Sequence, residues 1–262
     1  MNVFDGLPFI ALLSLLALAA LQGTTYLIGR RIGRYNVVDV SWGLGFVLVA
    51  LVGLLAGDGS LTRRLLLFVL VTVWGLRLSL HMHRKSAGRG EDPRYTELLD
   101  RRGHGTWQVL RRIFIIQGAS QWVISAPLQV SAVAGPTSGL AWIAAGTGVA
   151  LWLIGFTFEA VGDRQLERFK ADPCHRGTVM DQGLWAWTRH PNYFGDSSLW
   201  WGLWLIAASA WPGVLTVFAP LLMTYVLIYG TGARLLERHM AERPGYRQYQ
   251  QRTAYFWPRP PR

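Results

Sequence analysis

The sequence predicts an all-α integral membrane protein that crosses the bilayer seven times. Hydrophobic residues make up 51% of the chain and charged residues only 16%, which is the balance of a polytopic membrane protein rather than a soluble domain. The apolar runs are continuous, so they predict helices and not the alternating strands of a barrel. Each run is long enough for a hydrocarbon core of about 30 Å, allowing for one short or tilted helix. The predicted spans are 7–28, 37–57, 64–83, 113–134, 138–161, 195–210 and 212–232.

The positive charge is concentrated in alternate connections. Of the 26 lysines and arginines, 23 lie in segments 29–36, 84–112 and 162–194 and in the tail from residue 233. The positive-inside rule then predicts an N-terminus outside and a C-terminus in the cytoplasm, as an odd number of spans requires. A net charge of +11 could also indicate nucleic-acid binding, but such a protein would not alternate its charge along the chain. The expected partner is the lipid bilayer, with no nucleic acid and no protein partner implied.

A single integral membrane domain is predicted over residues 1–262. Its longest polar connections, 84–112 and 162–194, are too short and irregular to fold separately, although their length suggests function. The first apolar run is followed, not preceded, by arginines, so we expect a retained span rather than a cleaved signal. The single cysteine, Cys174, excludes an intramolecular disulfide and a multi-cysteine metal site. No metal site is predicted.

The second span opens with polar residues that suit chemistry on a carbonyl group. Asp39 lies three residues after Asn36 and four after Tyr35, a spacing that predicts one shared helix face. A desolvated carboxyl group one turn into a membrane favours its protonated form and can then donate a hydrogen bond to a substrate carbonyl. The structural alternative is an ion pair with Arg77 or an interaction with the helix dipole.

The third span ends in a polar stripe. Arg77, His81 and Arg84 recur at spacings of four and three residues, so they share a helix face that leads out of the membrane. His81 suits a proton donor or a hydrogen-bond partner for a substrate. Arg77 would be an uncompensated buried cation unless it met a ligand phosphate or a carboxylate. The candidate carboxylates are Asp39, Glu159 and Asp196.

A second polar cluster stands at the threshold of the sixth span. Segment 189–196, RHPNYFGD, combines a cation, an imidazole, an amide, a phenol and a carboxylate, which are costly at membrane depth and so indicate a functional site. An interfacial belt is the structural alternative, but a belt does not require Asn192 and Asp196 one helical turn apart. Glu159 and Asp163 end the fifth span one turn apart. Together these helix ends predict a pocket open to the cytoplasm, with an apolar lower part.

The cytoplasmic loops suit a phosphorylated cofactor. In segment 91–95, EDPRY, the carboxylates match ribose hydroxyls and the guanidinium matches phosphate oxygens. No GxGxxG motif and no P-loop motif occurs in a strand–helix setting, so neither nucleotide-binding fold is predicted. In the tail, Glu237 precedes Tyr246 and Tyr249, which share a helix face and could contact a cofactor or anchor a surface helix. Binding of lipid headgroup phosphate is the alternative for these loops.

These motifs resemble a known superfamily. RHPNYFGD at 189–196, with RPGYRQY at 243–249, resembles the steroid 5-alpha-reductase-like and isoprenylcysteine methyltransferase-like membrane enzymes. The NxxDxxWG pattern at 36–43, then LRLSLH at 76–81 and EDPRY at 91–95, resembles the bacterial branch of the steroid 5-alpha-reductase family. The likeness covers nearly the whole chain. It implies a multi-pass protein of the bacterial inner (cytoplasmic) membrane and favours the reductase branch.

The resemblance implies NADPH-dependent reduction of the C=C bond of an α,β-unsaturated lipid ketone, with a 3-oxo-Δ4 steroid as the leading substrate. An acid on the second span would polarise the enone oxygen and a partner on the third would assist. Asp39 and His81 fall in those places, with Asn36 as a third catalytic candidate. Steroid-reducing members tend to carry Glu and Tyr in those roles, so this chain departs from their pattern. The residues expected to bind NADPH are Arg77, Arg84, Glu91, Asp92, Tyr95, Asp163, Arg168, Arg176, Arg189, His190, Asn192, Tyr193, Asp196, Glu237, Tyr246 and Tyr249.

The sequence does not exclude two other functions. An S-adenosylmethionine-dependent methyltransferase of a lipid or an isoprenylcysteine-type thiol would use the same scaffold, because RHPNYFGD and the tail serve either cofactor. NADPH brings a 2′-phosphate and a pyrophosphate, which the arginine-rich loops suit better. A non-catalytic lipid-binding membrane protein is the third possibility, and it predicts that Asp39 and His81 tolerate substitution by Asn and Gln.

Overall fold

The computed structural model describes residues 3–102, 105–230 and 232–261. Within these ranges the chain is built from helices and turns without a named β-strand, which confirms the predicted all-α class. The α-helices are α1 (Val3–Ile32), α2 (Val38–Ala56), α3 (Leu61–Ser86), α4 (Pro93–Arg102), α5 (Thr106–Val109), α6 (Ile116–Ile124), α7 (Ala126–Ser131), α8 (Ala141–Ala171), α9 (Pro191–Ala208), α10 (Phe218–Tyr225), α11 (Ala233–Met240) and α12 (Tyr246–Arg252).

Shorter helical segments complete the chain. Leu110–Ile115 and Val226–Gly230 are π-helical, and Pro173–His175, Gly183–Ala186 and Gly213–Val217 are 3₁₀ turns. The chain divides into two compact units. Unit 1 comprises Met1–Ala141 and Ala207–Thr216, and unit 2 comprises Trp142–Ile206 and Val217–Arg262. That residues 1–262 act as one domain stays a prediction.

Five helical segments of the described residues are long and apolar enough to cross a membrane. They are Asp5–Ile32, Val38–Ala56, Leu61–Ser86, Ala141–Ala171 and Gly213–Met240. Each overlaps one of the predicted spans, so the multi-pass character of the chain is confirmed. The N-out, C-in orientation and the identity of the membrane stay predictions.

The two other predicted spans, 113–134 and 195–210, are not among these five. The first is interrupted at Ser125, because α6 ends at Ile124 and α7 begins at Ala126 with Pro127 in its first turn. The second corresponds to α9, whose 18 residues begin with the polar part of RHPNYFGD. The count of seven spans therefore stays a prediction.

In unit 1, α2 and α3 touch backbone to backbone. A β-carbon placed on Gly43 would lie 2.3 Å from the carbonyl oxygen of Gly75, so neither position has room for a side chain. Close contact of small residues is the usual way in which helices pack in a membrane. Gly43 lies one helical turn after Asp39, so this crossing fixes the first turns of α2 against α3.

An amide pair joins three helices of unit 1. Gln121 of α6 is fully buried, and its Nε2 donates to the carbonyls of Ser41 at 3.2 Å and Trp42 at 2.8 Å on α2. Its Oε1 accepts from Nε2 of Gln22 on α1 at 2.8 Å. Gly45 makes room for this amide, because a β-carbon there would lie 2.1 Å from Gln121 Nε2. The pair therefore ties α6 and α1 to the helix that carries Asp39.

In unit 2, glycines at seven-residue intervals form the contact between α8 and α9. Gly148, Gly155 and Gly162 lie on α8, and Gly195 and Gly202 lie on α9. A β-carbon on Gly195 would lie 2.5 Å from the carbonyl oxygen of Gly155, and one on Gly202 would lie 2.5 Å from that of Gly148. The glycine of RHPNYFG is therefore a packing residue.

We expect Gly195→Val to destabilise the protein by about 3 kcal/mol, and Gly195→Ala by less, because the clash is with backbone that cannot rotate away. The measurement is the free energy of unfolding in detergent micelles. Gly146→Ala is the matched control, since a β-carbon on that α8 glycine meets nothing within 4 Å. A Gly195→Val variant as stable as the Gly146→Ala variant would contradict the backbone contact.

Candidate functional site

The entrance to α2 differs from the prediction. α1 ends at Ile32, and Gly33 adopts a left-handed φ of 72° that turns the chain. α2 then begins at Val38, so Asn36 lies in the turn before the helix while Asp39 lies in its first turn. The predicted shared helix face of Tyr35, Asn36 and Asp39 is therefore wrong, because the helical spacing does not extend back through the turn.

The loop after α3 is clamped to this turn by Glu91. Its carboxylate accepts hydrogen bonds from the backbone N–H groups of Tyr35 and Asn36, the latter at 2.9 Å. The Nδ2 atom of Asn36 donates to the carbonyl of Gly90 at 3.1 Å, while its Oδ1 is buried without a hydrogen-bond partner among the described residues. Glu91, a predicted cofactor ligand, and Asn36, a predicted catalytic residue, thus both hold the loop in place.

Arg34 strengthens the same clamp. Its Nη1 donates to the carbonyls of Ser86 and Arg89, both at 2.7 Å. A guanidinium at the last carbonyls of α3 is favourable for the helix dipole. Sequence analysis counted Arg34 only as loop charge, and its position directly after Gly33 was the available signal.

The loop held by Glu91 positions α4 so that its first turn contacts Asp39. Asp92 precedes this helix and accepts the N–H of Arg94 at 2.9 Å, and Pro93 occupies the first helical position. The phenol of Tyr95 donates to Asp39 Oδ1 at 2.5 Å, and Arg94 Nη2 donates to Asp39 Oδ2 at 3.1 Å. The EDPRY motif therefore contacts Asp39, the acid of the second span, through Arg94 and Tyr95.

Asp39, Asp92, Arg94, Tyr95 and Gln117 are called the Asp39 cluster below. Gln117 of α6 completes it by donating from Nε2 to the phenol oxygen of Tyr95 at 3.1 Å. Tyr95 is buried, and this burial, followed by the charge of Asp39, raises the pKa of its phenol well above the usual value of 10.0. The phenol therefore stays protonated and acts as a hydrogen-bond donor.

The polar stripe of α3 is present as predicted. Arg77, His81 and Arg84 all lie on this helix, the first two half-buried and the third exposed. Asp39 receives a hydrogen bond from Tyr95 of α4, a residue expected from sequence to bind NADPH.

A second cluster forms in unit 2 around Glu237 of α11. Four side chains of the described residues contact its carboxylate. They are Arg189 at 2.8 and 3.2 Å, His190 at 3.2 Å, Tyr246 at 2.7 Å and Gln250 at 2.6 Å. These five residues are called the Glu237 cluster. The structure thus joins RHPNYFGD to the tail motif, which lies about 50 residues later in the chain.

Arg189 is occupied on every nitrogen of its guanidinium group. Nε and Nη2 donate to Glu237, and Nη1 donates to the carbonyls of Gln250 at 3.0 Å and Thr253 at 2.8 Å. Its charge also lies 5.3 Å from the ring centroid of Tyr255. Arg189 therefore acts as an internal tie between RHPNYFGD and the tail.

The tail beyond α12 runs beside segment 187–189. The N–H of Arg189 donates to the carbonyl of Ala254 at 2.9 Å, and the N–H of Arg259 donates to the carbonyl of Trp187 at 3.0 Å. The hydroxyl of Thr188 donates to the carbonyl of Phe256 at 2.9 Å. This pairing was absent from the sequence prediction, because short extended segments carry no periodic signal.

His190 is neutral in this environment. Burial lowers its pKa below the usual 6.5, although the Glu237 carboxylate opposes that shift. A neutral imidazole facing a carboxylate donates from the facing nitrogen, so Nε2 carries the proton. Its ring lies near the rings of Tyr193 and Tyr255, with centroids 5.7 and 5.5 Å away.

Other predicted residues of unit 2 lie around this cluster. Asn192 donates to Asp163 at 3.1 Å, and the phenol of Tyr249 donates to the carbonyl of Trp185 at 2.6 Å. Asp196 and Asp163 are buried. Arg168 and Arg176 are exposed and make no hydrogen bond to Glu237, so the structure does not bring these two into the cluster.

An open cavity of about 510 Å³ lies along α4 in unit 1. It is lined by Glu91, Pro93, Thr96, Glu97 and Asp100. Three carboxylates on its wall disfavour phosphate groups, and the wall lacks the apolar lining predicted for the substrate pocket.

The comparisons with known proteins assign the chain to a family. A family model described as a protein of unknown function, DUF1295, matches residues 25–253. The chain belongs to the DUF1295 family. The matched range includes both the Asp39 cluster and the Glu237 cluster.

A relative of this DUF1295 protein is an uncharacterized protein of Schizosaccharomyces pombe. The two are 27% identical over 232 residues, which cover 78% of this chain and 66% of the fission yeast protein. This chain thus spans slightly less than two thirds of its relative. No solved structure matched the chain.

Proposed function

We propose that this DUF1295 protein is a membrane-embedded, NADPH-dependent reductase of the C=C bond of an α,β-unsaturated lipid ketone, with a 3-oxo-Δ4 steroid as the leading substrate class. The observation that carries the proposal is the 2.5 Å hydrogen bond between Tyr95 and Asp39. The resemblance to steroid 5-alpha-reductases implies an acid and a phenol at the enone oxygen. Asp39 and Tyr95 supply that pair, in place of the Asp39 and His81 pair expected from sequence.

The chemistry of the Asp39 cluster suits this reaction. Reduction of an enone requires a hydrogen-bond donor at the ketone oxygen while negative charge develops there, and a proton for the α-carbon afterwards. The phenol of Tyr95 stays protonated and can donate to that oxygen. Asp39 can accept and return the phenol proton, and Arg94 provides a positive charge beside both groups. A carboxylate, a phenol and a guanidinium thus converge on one point.

The residue types of unit 2 fit a phosphorylated dinucleotide. NADPH, when bound, supplies the hydride for the β-carbon of the enone. Its phosphates suit exposed guanidinium groups, because arginine forks match phosphate oxygens. Exposed arginines of unit 2 include Arg168, Arg176, Arg238, Arg243 and Arg247. Asn192 and Tyr193 suit sugar or amide contacts, whereas Arg189 is reassigned to holding the tail.

A methyltransferase remains the second candidate, because nothing in the Glu237 cluster distinguishes NADPH from S-adenosylmethionine. The Asp39 cluster favours the reductase, since transfer of a methyl group to a thiol or lipid needs no donor at a ketone oxygen. The non-catalytic lipid-binding alternative predicts that the Asp39 cluster can be altered without loss of function.

The purified protein in detergent should oxidise NADPH when a 3-oxo-Δ4 steroid such as progesterone is added. The matched control is the corresponding 5α-reduced ketone, which has a similar shape but lacks the C=C bond. It should give no oxidation of NADPH. A parallel titration measures binding of S-adenosylmethionine. Binding of S-adenosylmethionine without binding of NADPH would overturn the reductase proposal. NADPH binding without turnover of any enone tested would overturn the substrate class and leave the cofactor.

A further inference from the structure

We propose that Gln117 is a positioning residue that fixes the direction of the Tyr95 phenol proton. This inference rests on the proposed reductase function for its catalytic consequence. Sequence analysis singled out no motif around Gln117, and the residue enters only through the structure. It is half-buried on α6, in the same unit as the rest of the Asp39 cluster.

The phenol oxygen of Tyr95 takes part in two hydrogen bonds. A phenol has one proton to donate and an oxygen that can accept, whereas the amide nitrogen of glutamine can only donate. Nε2 of Gln117 donates to the phenol oxygen at 3.1 Å, and that oxygen lies 2.5 Å from Oδ1 of Asp39. With Gln117 donating to one side of its oxygen, the phenol directs its proton to the other side, where Asp39 accepts it and where the proposed substrate would present its ketone oxygen.

The placement of Gln117 is itself enforced by the fold. Gln121 lies one turn further along α6, on the same helix face, and is bonded to the α2 carbonyls of Ser41 and Trp42. α2 also carries Asp39. Gln117, which donates to the phenol oxygen, lies on α6, and Asp39, which accepts the phenol proton, lies on α2. The hydrogen bonds of Gln121 join these two helices one turn further along α6.

The charged groups near the phenol are consistent with this orientation. Asp39 faces it from α2, and Arg94 is adjacent on α4, with its guanidinium carbon 5.8 Å from the Tyr95 ring centroid. Asp92 is bonded to Arg94 at 2.9 Å. Without Gln117 the phenol oxygen would lose its hydrogen-bond donor, and Asp39 alone would fix the orientation of the phenol proton.

Replacement of the amide should affect turnover rather than binding. We expect Gln117→Leu to lower kcat for enone-dependent NADPH oxidation about tenfold while leaving the Kd for NADPH unchanged, because misorientation of one proton donor acts in the transition state. Gln108→Leu on α5 is the matched control, since Gln108 is exposed and should change neither quantity.

Gln117→Glu gives a readout that a purely structural role would not produce. The side chain keeps its size, but the ionised carboxylate can only accept, so it competes with Asp39 for the phenol proton. When protonated, it can donate to the phenol oxygen as the amide does. We therefore expect the activity of Gln117→Glu, relative to the wild type, to recover as the pH falls. A ratio that does not change with pH would overturn the proposal.

A second readout needs no turnover. A fluorinated tyrosine with a more acidic phenol, incorporated at position 95, allows its titration to be followed by fluorine NMR. A hydrogen bond donated to the phenol oxygen stabilises the phenolate, so Gln117→Leu should raise the titration midpoint and Gln108→Leu should not. An unchanged midpoint in Gln117→Leu would overturn the orientation proposal. If the wild type oxidises NADPH with none of the enones tested, the proposed function fails separately, and this titration alone decides the role of Gln117.

Discussion

Asp39→Asn should abolish enone-dependent NADPH oxidation, with a loss in kcat of about 10²- to 10⁴-fold. The amide has nearly the shape of the carboxyl group but cannot exchange a proton with the Tyr95 phenol. It also presents an N–H group to Arg94 if its oxygen still accepts from Tyr95, so one of the two hydrogen bonds is lost. The Kd for NADPH should stay close to that of the wild type, because the arginines proposed to hold its phosphates belong to unit 2, whereas Asp39 belongs to unit 1.

The control for this variant is Asp58→Asn. Asp58 is exposed in the connection between α2 and α3 and belongs to the same unit, so its neutralisation removes one negative charge without touching the Asp39 cluster. Kinetics and NADPH binding are measured on all three proteins in the same detergent. Full turnover by Asp39→Asn would contradict the catalytic role and favour a lipid-binding protein.

The membrane-spanning architecture was largely predictable, because hydropathy is a local property of the chain. Five predicted spans coincide with long apolar helices. The interruption at Ser125 was missed, although Pro127 in an otherwise apolar run was a signal for a new helix start. The start of the second span at residue 37 agrees with α2 to within one residue, but helical spacing was wrongly extended back to Tyr35 and Asn36, which lie in the turn after Gly33.

The partner of Asp39 could not be predicted by the same methods. Helical periodicity identifies residues that share one face, and it selected Arg77 and His81 on α3. The observed partners, Arg94 and Tyr95, lie 55 and 56 residues after Asp39 and reach it through a clamped loop. Such a contact depends on the Glu91 clamp, which involves backbone N–H groups and therefore leaves no side-chain pattern in the sequence.

In unit 2, residues that were expected to share a cofactor site do lie together, but they contact one another. Arg189, His190, Glu237 and Tyr246 were all expected at one cofactor site. The structure brings them together, but their hydrogen bonds are to one another and to the tail backbone. The opposite charges of Arg189 and Glu237 were visible in the sequence. Because the two residues are 48 positions apart, each was expected to bind the cofactor rather than the other residue.

Glu237→Ala should destabilise the protein by about 3 kcal/mol, measured as the free energy of unfolding in detergent. The side chains of Glu237 and Arg189 are only 13% and 10% exposed, so removal of the carboxylate leaves a guanidinium poorly solvated and without its counter-ion. The donors of Tyr246 and Gln250 lose their acceptor as well. Glu242→Ala, an exposed glutamate two residues after α11, is the matched control and should change stability by less than about 0.5 kcal/mol.

A double-mutant cycle separates the ion pair from the rest of this cluster. If the main penalty of Glu237→Ala is the uncompensated charge of Arg189, then Arg189→Met in the Glu237→Ala background should cost much less than in the wild type. Because Arg189 also donates to the carbonyls of Gln250 and Thr253, its removal should loosen the tail in either background. We therefore expect a favourable coupling of about 1–3 kcal/mol between the two residues, together with increased proteolysis of the tail in both Arg189→Met variants. Strictly additive effects would show that Arg189 and Glu237 contribute independently and that the tail, rather than the ion pair, stabilises RHPNYFGD.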